Sequence, residues 1–430
     1  MSVGDYVKKL HHLLYVGAAL SVSGIAATPA IPQDGAGMFA RDRNVSVTER
    51  PRPEYTSGGI QQGAFVIQPS LTMRLESTDN VYATETNELS DEFVTLIPAV
   101  SIGSTWSRHQ LGVNASVSRY QYSDANTENR TDYAVGINGR VDVLRSSFVN
   151  GGVDFRSSHE PRGSAAAVGL AARPIAFDQA SAFIGASREF SRVLVAGQIS
   201  IDEFDYDDVD LIGGGVGDQD FRDRTDVSIE GRADYAYSPD TSFFVRIINE
   251  NQSYDSAIGG VVRDQDTLTF EGGVSFDISD LITGEVGIGM FSTDFDDATR
   301  GSKDSLSFSG DAEWYVTPLT TVSVNASRRS SASGIAAAAS STNTSVGAAV
   351  DHELLRNLIL SSSISYTENS FEGLDRADDT FRFNLGGTYL VNRNVGVTAT
   401  YSRSSRDSSG AAAQAGYDDN RFMISLVWQR

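Results

Sequence analysis

From residue 63 to the end of the chain, apolar and polar residues alternate with a period of two, the spacing that sends successive side chains to opposite faces of an extended strand. Leu111, Val113, Ala115 and Val117 alternate with Gly112, Asn114, Ser116 and Ser118. Tyr133, Val135, Ile137, Gly139, Val141 and Val143 interleave with Asn138, Arg140 and Asp142. The closing stretch repeats the pattern: Phe422, Ile424, Leu426 and Trp428 share one face, and Met423, Ser425, Val427 and Gln429 the other. The helical period fits almost none of these windows. The alternation is weakest over 165–186 and 331–349.

Short turns punctuate the strands at Ser107-Arg108, Arg145-Ser146, Ser191-Arg192, Ser238-Pro-Asp240, Ser279-Asp280, Thr317-Pro318, Leu355-Arg356 and Asn392-Arg393. Several put Pro, Asp or Asn where turn geometry favours them. Between the hairpins lie longer polar stretches at 85–91, 158–173, 205–220, 254–266, 331–342 and 405–420. Short turns alternating with long loops are the arrangement of an outer-membrane barrel, turns toward the periplasm and loops outside. Sandwiches and propellers lack this alternation, and no fixed short repeat points to a solenoid. The expected fold is therefore all-β: a transmembrane antiparallel up-and-down β-barrel over residues 59–430, of about 18 strands with 16 as the other count. Strand 421–430 should pair with the first strand, near 63–75, so that neither edge is left open.

With the apolar parity toward lipid, the other parity faces the lumen. That assigns Arg140, Asp142, Asp154 and Arg156 to the inner wall early in the chain, then Glu230, Arg232, Asp234 and Arg246. Glu271, Asp311, Glu313 and Arg382 complete the set of expected lumen-lining residues. Their strand neighbours Ile229, Phe270, Phe308 and Phe381 fall on the outward parity, where a mid-depth Arg or Lys would cost roughly 2–4 kcal/mol. Tyr235, Tyr237, Trp314, Tyr389, Tyr401 and Trp428 are also outward and suit aromatic girdles near strand ends. Barrels of this size are too wide to fill with side chains, so mixed charge on the wall implies a hydrated path; the alternative is charges that pair across strands, or a loop that plugs the bore.

Composition narrows the classes further. Gly is abundant (40 residues), Cys is absent, and the net charge is −22 over 430 residues. Nucleic acid is excluded as a partner, since a polyanion needs Lys and Arg to displace its counterions. Without Cys there is no disulfide scaffold and no thiolate metal site. Lys8, Lys9, His11 and His12 precede an apolar run from Leu13 to Leu20 and a stretch of small residues, the layout of a signal peptide over 1–30. Residues 31–58 carry scattered Pro, Gly and charge without a period and read as a flexible periplasmic spacer. Asp205, Asp207, Asp208 and Asp210 form an acidic loop without EF-hand spacing, and the glycines of 213–217 lack the Lys and Ser/Thr of a phosphate loop. His109, His159 and His352 have no metal-ligand spacing. No catalytic set, metal site or cofactor is expected.

Three passages resemble the β-barrel porin family often encoded in exopolysaccharide gene clusters of Gram-negative bacteria. They are Arg52-Pro-Glu-Tyr-Thr-Ser-Gly-Gly-Ile60, with the following Gly63–Ser70 and Asp79-Asn-Val-Tyr82; Leu96-Ile-Pro-Ala-Val100, leading to Trp106-Ser-Arg-His109; and His159-Glu-Pro-Arg162. The resemblance implies an outer-membrane barrel that serves as a passive conduit for export of a surface polysaccharide. It implies periplasmic polysaccharide-export proteins and the polysaccharide as partners, beside outer-membrane lipid, lipopolysaccharide and the barrel-assembly machinery. It carries over no catalytic or binding residue. The alternatives are a general or solute-selective diffusion porin and a structural or adhesive surface barrel. The tail departs from the usual barrel ending, because Gln429 and Arg430 follow Trp428.

Overall fold

A computed structural model describes residues 44–430, apart from 168, 259–260 and 298–299. The expected signal peptide, 1–30, and the first part of the expected spacer lie outside the described residues. Eighteen long strands form the body. They are β1 (Phe65–Thr78), β2 (Asp91–Ser104), β3 (Gln110–Tyr122), β4 (Arg130–Leu144), β5 (Ser147–His159) and β6 (Ala176–Phe190). Next come β7 (Val193–Tyr206), β8 (Arg224–Ser238), β9 (Thr241–Tyr254), β10 (Gln265–Ile278), β11 (Ile282–Phe295) and β12 (Ser302–Thr317). The ring ends with β13 (Thr320–Ala332), β14 (Ser340–Leu355), β15 (Leu358–Phe371), β16 (Ala377–Leu390), β17 (Val395–Ser409) and β18 (Tyr417–Gln429). A short strand, Ile60–Gln62, folds back on the start of β1.

Each strand pairs antiparallel with its successor, and β18 returns to β1 in the register Ser70↔Gln429 through Thr78↔Arg421. The closure expected for the last strand is thus formed, and no long strand keeps an open edge. The turns fall where the alternation predicts them. At 279–280 both Ser279 and Asp280 have positive φ, a hairpin conformation that short polar residues tolerate. On the other side, nine loops join the hairpins, the longest at 160–175 and 207–223. Small apolar clusters sit at that loop end: Val81, Phe93, Tyr122 and Ala125 in one, Ala171, Ile175 and Val209 in another.

Exposure separates the two parities. Ile229, Ile288 and Phe422 stand 51%, 67% and 62% exposed on one face, whereas Phe244, Phe291 and Asp234 on the other are 2%, 1% and 4% exposed. The first face is an apolar band and the second a charged wall, the distribution a bilayer imposes on a barrel. Tyr237, Trp314, Tyr389 and Trp428 are exposed near the turn ends of their strands. Tyr401 differs: it lies mid-strand with its ring 4.9 Å from that of Phe422, so it packs on the band.

Ile229→Arg should lower stability by roughly 2–4 kcal/mol and reduce the folded, heat-modifiable fraction on gels, whereas Glu230→Gln should leave that fraction unchanged. Loss from Glu230→Gln with none from Ile229→Arg would overturn this assignment of the faces.

Candidate functional site

A connected stretch of charged wall spans β8 to β12, and two glycines make it possible. Gly273 and Gly287 are register partners on β10 and β11, and Gly273 also faces Phe244 of β9. A Cβ at Gly273 would collide with the Phe244 ring, and one at Gly287 would come within 3.1 Å of it. Without them the ring could not lie flat on the wall. Lying there, it supports the guanidinium of Arg232, 4.2 Å from its centroid, a favourable cation–π contact.

Arg232 then joins two carboxylates. It donates through Nε to Asp234 Oδ2 at 3.0 Å and through Nη1 and Nη2 to Glu285 at 2.8 and 2.6 Å. Ser275 Oγ donates to the same Glu285 at 2.8 Å. The Arg232–Glu285 pair skips over β9 and β10. Strands are spaced about 4.8 Å apart, so side chains three strands apart meet only on the concave side of the sheet. A second network has the same form. Arg246 of β9 pairs with Glu271 of β10 and donates to Ser309 Oγ of β12 at 2.7 Å, across the gap left by Gly287. Ser307 and Ser309 both donate to Glu271.

The other expected wall residues divide into paired and free. Arg140 donates to Asp142 Oδ1 at 2.9 Å and lies over Phe148. Asp142 also accepts from His109 N–H at 3.2 Å, which ties it to the 105–109 turn. Arg156 donates to Gln179, and Glu313 accepts the Tyr315 hydroxyl at 2.7 Å. Asp154, Glu230, Asp311 and Arg382 make no hydrogen bond or ion pair with the described residues. Asp154 and Asp311 are exposed, and Glu230 and Arg382 half-buried.

The loop end holds a feature that strand patterning does not disclose. Residues 160–175, between β5 and β6, leave their own wall and meet the far side of the ring. Glu160 pairs with Arg222 of the 207–223 loop at 2.8 Å, and Arg162 with Glu128 at 2.6 Å. Arg406 of β17 donates to the carbonyls of Gly163 and Ser164 at 3.2 and 3.0 Å. Arg376, whose side chain is 1% exposed and paired with Asp378, donates to the Ala165 carbonyl at 3.2 Å. Gly334, between β13 and β14, lies against Ala166 so closely that a Cβ would stand 2.8 Å from it. In a ring of eighteen strands, β5 and β14 face each other across the bore. The outer mouth is therefore crossed by this loop. Sequence reasoning gave these residues no role, although His159-Glu-Pro-Arg162 is one of the passages on which the family resemblance rests.

Beside the crossing loop, the carboxylate oxygens of exposed Asp208, Asp218 and Asp220 lie within 4.8 Å of one another. The nearby charge of Asp208, with smaller contributions from burial and Asp218, pushes the pKa of Asp220 up. Asp223 accepts the Tyr206 N–H at 2.7 Å. Burial, reinforced by Asp205, Asp220 and Asp255, nevertheless raises its pKa to about 6.

A family model described as "Putative beta-barrel porin 2" matches residues 52–430. No curated protein matches the chain. Among solved structures, the chain is similar to OccK1 (OpdK) of Pseudomonas aeruginosa, with 13% identity and a TM-score of 0.44 over 85% of this chain and 99% of that one. A BenF-like porin from Pseudomonas fluorescens Pf-5 is similar at 13% identity and a TM-score of 0.45, over 85% and 99% of the two chains. The siderophore receptor PiuA from Acinetobacter baumannii gives 9%, 0.46, and coverage of 87% and 82%. Likenesses this remote carry no functional argument.

Two outcomes follow from the mouth. The double variant Arg376→Gln, Arg406→Gln should free the crossing loop, so that trypsin added outside cuts after Arg162 much faster than in the parent. Equal cutting rates would show that these arginines do not hold the loop. The 207–223 loop should loosen as pH rises. A carboxyl with a raised folded-state pKa contributes its stability below its ordinary value of 3.8 and loses it as pH passes through about 6. Hydrogen exchange in this loop should accelerate over that window, and Asp223→Asn should abolish the dependence.

Proposed function

The chain belongs to the Putative beta-barrel porin 2 family, and from that premise we propose that it is an outer-membrane passage for small polar solutes, a diffusion porin rather than a polymer conduit. Family and fold point to a transport channel in the outer membrane, not to an enzyme. The observation that carries the finer reading is the crossing of the outer mouth by residues 160–175, pinned to the far wall by Arg376 and Arg406. A polysaccharide in transit needs a bore that is clear along its length, because the chain occupies every level of it at once. Small solutes need only gaps beside the loop. The polysaccharide-export role implied by the resemblance is therefore the weaker reading.

The wall supports the same reading. Charges already matched, such as Arg232 with Asp234 and Glu285, hold the wall polar without inviting a solute to bind tightly. Among the expected wall residues, Asp154, Glu230, Asp311 and Arg382 are the charges left to meet a passing ion or sugar. They line the path in this proposal, and the matched residues form its frame. Three acids against one base among them favour weakly cation-selective passage, since fixed charge of one sign raises the local concentration of the other.

Purified protein in liposomes should admit monosaccharides in a swelling assay and give ion conductance in planar bilayers. Glu230→Gln combined with Asp311→Asn should shift the zero-current potential toward anions in a salt gradient. Exclusion of monosaccharides, with current blocked by long polysaccharide fragments, would overturn the proposal in favour of export.

A further inference from the structure

Residues 44–57 lie against the turn end of the barrel, and side chains hold them there. Val47 is fully buried, and its N–H donates to Thr321 Oγ1 at 3.0 Å. Glu353 on β14, 5% exposed, receives two guanidinium groups on one oxygen: Arg50 Nη1 at 3.0 Å and Arg52 Nη2 at 2.9 Å. The same Arg52 nitrogen donates to the Val47 carbonyl at 2.8 Å, which folds the segment around its own anchor. At the next turn the polarity reverses: Arg356 donates to Glu54 Oε1 at 2.8 Å and to the Pro51 carbonyl at 2.9 Å. Arg50 also reaches the Pro318 carbonyl, and Asn44 the Asp280 carbonyl.

These anchors spread from the β10–β11 turn to the β14–β15 turn, and the chain then runs on to Ile60–Gln62 beside β1. The segment thus passes the ends of about half the ring. Its backbone hydrogen bonds are internal turns, Glu49 and Arg50 N–H to Ser46 and Tyr55 N–H to Arg52. Among the described residues, none joins its backbone to that of a strand before Ile60. Such a segment can leave without disturbing the sheet, because what holds it is ion pairs, hydrogen bonds to side chains and one buried apolar side chain, Val47. Thr321 and Glu353 belong to the same parity as Glu313 and Asp351, the inner one, so the anchors draw the segment into the opening and not along its outside.

We infer that residues 44–57 form a strap over the periplasmic opening, clasped by Glu353 through Arg50 and Arg52, and that breaking the clasp opens the passage. The inference rests on the barrel being a passage. It adds a point of control at the end opposite to the crossing loop. A single carboxylate holding two arginines is a sensitive clasp, since losing its charge leaves both guanidinium groups without their shared partner.

The test compares single-channel recordings of the parent, Glu353→Gln, the double variant Arg50→Gln, Arg52→Gln, and a chain lacking residues 45–57. Heat-modifiable migration confirms that each barrel is folded. Mean current should rise severalfold in all three variants. The chain contains no cysteine, so Val47→Cys with Thr321→Cys introduces the sole thiols. Oxidation of that pair should hold the current low and a reductant should restore it. Equal currents in the parent and in all variants, with every barrel folded, would overturn the strap while leaving the passage intact. Absence of current in every form, including the strap-deleted chain, would overturn the passage and the strap together.

Discussion

A hydrocarbon layer offers no hydrogen bonds, so each N–H and C=O at membrane depth must find its partner within the protein. The pairing of Phe65–Thr78 with Tyr417–Gln429 meets that demand for the two strands that would otherwise be edges. Everything else depends on it. Once the ring is closed, alternation gives each strand one face in lipid and one in the bore. Only then does the bore become a place where charge can be kept at low cost, because it is shielded from the bilayer. The exposed apolar band and the buried charged wall are two aspects of one closed ladder.

Within that frame, the wall between β8 and β12 is organised by absence of side chains. Gly273 and Gly287 leave a hollow that Phe244 fills, and the ring carries Arg232 into reach of Asp234 and Glu285. Gly287 also lets Arg246 and Glu271 meet Ser309. An isolated arginine in such a position would be costly to desolvate, while one shared between two carboxylates is compensated. This stretch of wall thus holds matched charge at Arg232, Arg246 and their partners, and unmatched charge at Glu230 and Asp311.

The strand pattern made the barrel, its turns, its closure and its faces legible. All of these depend on a period of two or on neighbouring turn residues, which are local properties. What stayed hidden depends on contacts distant in sequence. Arg232 meets Glu285 because of two glycines on intervening strands, and no alternation encodes that. The 160–175 loop is short of large apolar residues, so its inward path had no hydrophobic signature; arginines far along the chain draw it in. Residues 44–57 read as a spacer because Pro, Gly and charge without a period are what a spacer contains. Their order comes from Glu353 and Arg356, three hundred residues away. The passages that resemble the porin family do include Arg52, Glu160 and Arg162, all of which anchor one of these two segments. Their place in those passages gave no hint of what they hold.

The far wall grips the crossing loop by its main chain: Arg376 and Arg406 donate to the carbonyls of Gly163, Ser164 and Ala165. A carbonyl is present whatever residue bears it. Ala165 is therefore free to drift over generations without loosening the loop, whereas Ser164, whose Oγ donates to Glu160 at 2.9 Å, and Gly163, where a Cβ would fall 2.5 Å from the Tyr417 hydroxyl, are not. A bacterium pressed by phage or antibody could rewrite this part of its surface and keep the same aperture beneath it.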